Sequence, residues 1–411
     1  MATTQLSNVP YLYKTLWPQD RVQNLVYDDN PFLAMVPKSE DFVGDSMYLA
    51  VRYADNLGRS ATFATGRANI NPHKGVRFLL TRGHDYAFFS VDHESILASK
   101  KDKGALIRLL DTEVESALNS LTRSLAIALY GDGAGVRGQI STAGPVAGPP
   151  ATITLLNIND VTNFENGQVL VAALTRVGAV RSTPATATIT GVDRMTGVLT
   201  FANGTFAGTN WAQSDFLFCQ GDAPNGGSRI LPTGLLGWLP ATAPVALDNH
   251  FGVDRSVDVT RLAGLRIDES SLNPEEGLAL ALAYLGREGG KPSHLFRNPI
   301  DYKNIQIALG SKVTTEYMEV GTVGFTAIVV NGPKGKVRIV SDQNCPGGRG
   351  FALTMNTWKF YSLGEAPMRI EADGVSMLRD TTTDTFEGRM AYYAQLGCTA
   401  PGRNAIETLP S

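Results

Sequence analysis

The chain has 411 residues, 43% of them hydrophobic and 18% charged, with a net charge of −3. A single core rarely grows past about 250–300 residues, so two or three domain-sized units are implied. Disorder is excluded as the main state, since disordered chains are poor in apolar residues and rich in charge. A dedicated nucleic-acid binder is also excluded, because it would show a basic excess or stripe. Soluble chains carry about 25% charge, so this surface is expected to be partly covered by other protein.

The three cysteines, Cys219, Cys345 and Cys398, are widely spaced and odd in number. They suggest neither a disulfide framework nor a CxxC metal knuckle. The opening stretch MATTQLSNVPYLYKTLWPQD lacks the basic-then-apolar run of a signal peptide. No stretch approaches 18 uninterrupted apolar residues. A protein made in the cytoplasm, with no membrane span, is expected.

Residues 1–40 mix aromatics and prolines with few charges and read as an extended arm. Its Tyr11 and Trp17 need cover from the arm's own body or from a neighbour. SMYLAVRY (46–53), VRFLL (76–80) and YAFFSV (86–91) have strand composition. Between the first two lies a largely polar stretch of 21 residues, 54–74, with Arg59, Arg67 and Lys74. A loop that long inside a compact domain is uncommon and usually functional. It is expected to project as a β-loop.

Residues 105–130 carry the strongest periodicity. Ile107, Leu110, Val114, Leu118, Leu121, Leu125 and Ala128 recur every three or four positions, which stacks them on one helix face. Asp111, Glu113 and Glu115 fall on the other side. Gly131 and Gly133 should end the helix.

The segment 141–232 has nine charges in 92 residues, 13 threonines and no lysine. Its short strand-like runs, separated by turns such as DRMTG (193–197), predict a small all-β barrel or sandwich over 148–224. Beyond it the chain reads as mixed α/β. Asn273-Pro-Glu-Glu and Asn298-Pro299 are helix starts, with proline at the first helical position. Strands are predicted at 325–330, 336–341, 351–355, 368–372 and 389–396.

Candidate chemistry is sparse. Gly133-Ala-Gly-Val-Arg-Gly138 matches GxGxxG, but it follows a helix and precedes coil, the reverse of a dinucleotide site. The five histidines show no HExxH or HxH spacing, and GxSxG is absent. No catalytic, cofactor or metal residue is expected, and the chain is not read as an enzyme. Arg59, Arg67 and Lys74 are candidate intersubunit partners for Asp111, Glu113 or Glu115. Such exposed pairs are worth about 0–1 kcal/mol each and would set register more than strength.

The order of these parts resembles the major capsid proteins of tailed bacteriophages, with the fold named after phage Hong Kong 97. SVDHESILASKKDKGALIRLLDTEVESALNSLTRSLAIALYGDGAGVRGQI looks like that family's spine-helix segment. GGKPSHLFRNPIDYKNIQIALGSK and GFTAIVVNGPKGKVRIVSDQNCPGGRGFAL resemble passages of its axial domain. TDTFEGRMAYYAQLGCTAPGRNAIETL resembles the return strand of its peripheral domain.

The resemblance implies an α+β fold with an N-terminal arm (1–40), an extended β-loop region (41–91, tip 54–74) and a peripheral domain (92–147) with spine helix 105–130. An inserted β-domain (148–224), a connection (225–274), an axial domain (275–365) and peripheral return strands (366–411) follow. It further implies pentamers and hexamers of the chain closing an icosahedral shell around double-stranded DNA, without sequence-specific contact. A separate scaffolding protein, a portal and a decoration protein are the implied partners, and the virion the implied location. An encapsulin-like compartment shell and a carbohydrate- or cell-binding β-protein are the alternatives.

Overall fold

The computed structural model describes residues 30–93, 103–310, 314–320, 323–371, 377–379 and 383–410. The chain enters through helix α1 (Pro31–Met35) and strand β1 (Lys38–Ser39). Strands β2 (Ser46–Ala54) and β3 (Lys74–Thr81) then form an antiparallel hairpin, with helix α2 (Phe63–Ala68) in its tip. Strand β4 (Gly83–Asp92) leads to helix α3 (Lys103–Tyr130). At 1.5 Å per residue, the 28 residues of α3 form a rod about 42 Å long. Val114, Leu118, Leu121, Leu125 and Ala128 are buried on the face their spacing predicted.

A six-stranded antiparallel sheet follows: β5 (Val136–Gln139), β6 (Ala151–Thr154), β7 (Val169–Ala173), β8 (Ala187–Asp193), β9 (Val198–Phe201) and β10 (Phe216–Cys219). Its order is β5-β10-β7-β8-β9-β6. A bridge between Ile140 and Leu155 joins the two end strands, so the sheet closes into a barrel. Closure leaves no open edge for another strand. The barrel has its own core, with Ile153, Phe164, Leu170, Ile189, Phe201 and Trp211 buried together. It begins at Val136, upstream of the expected boundary at 148. The reason is that β5 pairs with β10 immediately after the helix ends.

The chain returns through α4 (Leu235–Trp238), β11 (Asn249–His250) and β12 (Val253–Asp254). Then come β13 (Leu265–Asp268), α5 (Pro274–Arg287), β14 (His294–Arg297) and α6 (Pro299–Leu309). Strands β15 (Thr314–Val320), β16 (Val323–Gly332), β17 (Gly335–Ser341), β18 (Arg349–Leu353) and β19 (Trp358–Ser362) follow. Last are β20 (Met368–Arg369), β21 (Leu378–Arg379), β22 (Thr385–Cys398) and β23 (Ala405–Thr408).

Two sheets organise these elements. In the first, β22 pairs with β4 over ten residues, with β19 at its far end, and β1 lies parallel to β19. Helix α3 packs across β4 and β22. The second is a mixed seven-stranded sheet in the order β13-β23-β18-β14-β17-β16-β15. Helices α5 and α6 cover it, placing Leu278, Leu282, Leu285, Ile305 and Leu309 against Leu295, Ile328 and Ile339. Proline at the first position starts both helices, and the Asn298 side chain accepts from the Ile300 N–H.

Three boundaries differ from the sequence expectation. The loop 54–74 contains α2, which six residues without apolar periodicity did not announce. The segment 275–365 does not coincide with one sheet, since Leu265–Asp268 joins the second sheet and Trp358–Ser362 the first. The segment 366–411 also divides: β22 stays in the first sheet, while β23 crosses to the second, between edge strand β13 and β18. Ala405 and Ile406 point to opposite faces and are both buried, so alternation could not show which sheet claims them.

Candidate assembly site

The β2–β3 hairpin is anchored at its base and exposed at its tip. Leu49, Val51, Phe78 and Leu80 bury their side chains in the main core. Beyond Ala54 the chain leaves the body. Asn56 Oδ1 accepts from the Gly58 N–H at 2.8 Å, and Thr62 Oγ1 donates to Thr65 Oγ1 at 2.7 Å. The tip holds Leu57, Phe63 and Ile70 at 64%, 86% and 64% exposure. Three large apolar side chains on one projection form a surface that a monomer gains nothing by displaying.

Arg59, Arg67 and Lys74 are exposed around the same tip. Among the described residues none of the three forms an ion pair within the chain; the nearest pair is Arg52 with Asp55 at 3.2 Å. Glu113 and Glu115 are half-buried on α3. Asp111 lies in α3 with its side chain outside the described part. The structure therefore places the cations and the helix acids on separate elements, and among the described side chains it does not pair them within one chain. Tyr11 and Trp17 lie outside the described residues.

The expected arm needs correction. Residues 30–40 belong to the body. Phe32, Leu33 and Val36 are buried, and the Phe32 ring lies 5.4 Å from Tyr130 and 5.3 Å from Phe296. Apolar side chains flanked by short polar stretches found cover on the chain's own core. Residues 1–29 of that expected arm lie outside the described residues.

Other exposed apolar groups lie on regular elements. Tyr86 and Phe88 alternate on the outer face of β4, where Arg389 sits 6.0 Å over Phe88. Ile300 and Ile307 are seven residues apart on α6 and share its outer face. Met195 is exposed at the β8–β9 turn of the barrel.

Buried polar groups fix the body that carries these surfaces, and sequence reasoning missed them. Asp342, 2% exposed, accepts from the Tyr130 hydroxyl at 2.9 Å, the Phe32 N–H at 3.2 Å and the Asn344 N–H at 2.9 Å. One carboxylate thus ties α1, the end of α3 and the second sheet together. Burial pushes its titration upward against those hydrogen bonds. The barrel is pinned by Arg123 of α3, which donates to Glu165 and to the Thr162 carbonyl. Arg137 adds bonds to Ser124 Oγ at 2.8 Å and Asp222 Oδ2 at 3.1 Å. Between β4, α3 and the barrel lies a cleft of about 540 Å³.

The GxGxxG stretch performs a structural task. Gly133 and Gly135 adopt positive φ. A Cβ on Gly133 would fall 2.7 Å from Thr233 Oγ1, and one on Gly135 2.8 Å from the Asp222 carbonyl. The glycines end α3 and let the chain turn into β5. His84 packs beside Tyr86 and Tyr393, and His93 Nδ1 lies 3.1 Å from Asp384. Among the described residues no group of three or more His, Cys, Asp or Glu is placed to hold a metal ion. No helix among them is long and apolar enough to cross a membrane.

No protein-family model matches the chain, and no curated protein sequence does. Solved structures do. The capsid asymmetric unit of cyanophage A-1(L) matches at a TM-score of 0.54 and 12% identity, over 96% of this chain and 98% of that one. Weaker likenesses include Mycobacterium phage Ogopogo (TM-score 0.41, 9% identity, 93% and 92% covered). The holo-SrpI encapsulin complex from Synechococcus elongatus is another (0.43, 7%, 92% and 86%). The chain adopts the Hong Kong 97-type capsid fold: extended hairpin, long helix and two sheets in one α+β body.

Proposed function

We propose that the chain is a shell-forming subunit, the major capsid protein of a tailed double-stranded DNA bacteriophage. The observation that carries this is the extended hairpin, which is anchored in the core and tipped with exposed Leu57, Phe63 and Ile70. A fold shared along nearly the whole length with a phage capsid subunit supports it. In this reading the tip lies over a neighbouring subunit, with Arg59, Arg67 and Lys74 beside acids such as Asp111, Glu113 and Glu115. The seven-stranded unit gathers at the fivefold and sixfold axes of pentamers and hexamers. The work is structural rather than catalytic. A separate scaffolding protein, a portal and a decoration protein complete the partners, and a net charge of −3 keeps contact with DNA diffuse.

Negative-stain electron microscopy of the purified protein tests the reading. Closed shells or capsomer rings are expected. A discrete small oligomer at every concentration, with scaffold present, would refute it. The cargo of native particles decides between readings of one fold: DNA for a virion, enzyme for an encapsulin-like compartment.

The barrel is proposed as an autonomous inserted domain. Its closed sheet and separate core predict that residues 134–222, expressed alone, give a β-type circular dichroism spectrum and a cooperative melt. A random-coil spectrum would reject autonomy.

A further inference from the structure

We propose that Glu269 and Glu407 share a single proton over the Arg297 guanidinium, and that this proton latches edge strand β13 to the seven-stranded sheet. Arg297 Nη2 donates to Glu407 Oε2 at 2.6 Å and to Glu269 Oε2 at 3.1 Å, and its Nε donates to Glu407 Oε2 at 3.1 Å. All three side chains are buried, at 2%, 1% and 0% exposure. The remaining oxygen of each carboxylate, Oε1, is buried with no hydrogen-bond partner. Two carboxylates facing one guanidinium leave a net negative charge away from water, and a buried site resolves that by holding a proton.

The surroundings supply no second cation to Glu269. The charges acting on it are Glu407 of β23 and Arg297 of β14. Helix α5 presents Gly277, where a Cβ would fall 2.5 Å from Glu269 Oε2. Strand β18 presents Gly350, 2.3 Å by the same measure from Glu407 Oε2. Arg349 of β18 donates instead to Thr408 Oγ1 and acts on Asp268. From α6, Asp301 feels Arg297, and from the adjoining turn Cys345 feels both Arg297 and Glu407. Burial and then Glu407 push Glu269 up to about 8, against the pull of Arg297.

The sign follows from proton linkage. A carboxyl that titrates higher when folded binds its proton more tightly in the folded chain. Stability therefore falls as pH rises from the ordinary carboxylate range to about 8, then levels. Glu269 directly follows β13, the edge strand parallel to β23. Loss of the proton loosens that edge first.

Thermal melts of the unassembled full-length chain test this, whatever the chain builds. Glu269→Gln mimics the protonated acid at every pH. Its melting temperature should match the wild type near pH 4 and exceed it by several degrees near pH 9. A difference independent of pH would overturn the proposal. Should that variant fail to fold, infrared spectra of the wild type and Glu407→Gln at pH 7 give a second reading. The wild type should show a buried carboxylic acid C=O stretch that Glu407→Gln lacks, because Arg297 then holds Glu269 as its anion. Identical spectra would overturn it equally.

Discussion

Deletion of residues 56–72, with a two-residue turn in their place, should leave a folded, soluble subunit that no longer closes shells. The paired arms, 46–54 with 74–81, stay intact, and so do the buried Leu49, Val51, Phe78 and Leu80. The deleted part contributes no large buried side chain: its Leu57, Phe63 and Ile70 are all exposed. The melting temperature should therefore move little. Burying those three side chains against a neighbour is worth about 1.5–3 kcal/mol each before association costs. Removing them should raise the protein concentration needed for assembly by roughly a thousandfold or more, at about 1.4 kcal/mol per factor of ten. Sedimentation velocity and electron microscopy check this. Normal particles from the deletion would refute the assignment of the hairpin. A lowered melting temperature would show instead that the tip serves the subunit's own fold.

Asp342→Ala should destabilise the subunit by about 3–5 kcal/mol, because it leaves buried donors with no acceptor. The donors are the Tyr130 hydroxyl and the Phe32 and Asn344 N–H groups, each on a different segment. Tyr130→Phe removes one donor and leaves the carboxylate its other bonds, so about 1 kcal/mol is expected. Equilibrium denaturation of the unassembled chain measures both. Equal effects from the two variants would mean that the hub does not act as one connected unit. The site joins α1, α3 and the second sheet, so α1 should exchange its amide hydrogens faster in Asp342→Ala.

Most regular elements were legible in the sequence because local chemistry dictates them. The repeat at Val114, Leu118, Leu121 and Leu125 allows one helix face, and that face is buried. Asn298-Pro299 marks a helix start wherever it folds. The threonine-rich, charge-poor segment could make only short strands, and it makes five, which close with β5 just before it into one barrel. The low overall charge is partly a property of that barrel, and only the remainder bears on covered surfaces.

The assembly surface was legible in part. The length and polarity of 54–74 marked a projection, but its apolar residues went unremarked because composition does not report exposure. Leu57, Phe63 and Ile70 look like any core residue until the chain is folded and nothing covers them. Phe32 and Leu33 mislead in the opposite direction, being buried in the body where an arm was expected.

The sequence by itself determined the long helices α3, α5 and α6, most strands, the separate β-segment and the absence of a recognisable catalytic motif, because each depends on residues near one another in the chain. Only the tertiary structure decided which sheet claims β19 and β23, that the barrel closes through Ile140 and Leu155, and that Arg297 faces two buried glutamates. Glu269 and Glu407 stand 138 positions apart in the chain. Their meeting rests on strand pairing across the second sheet, and the electrostatics of a buried charge exist only once water has been excluded from it.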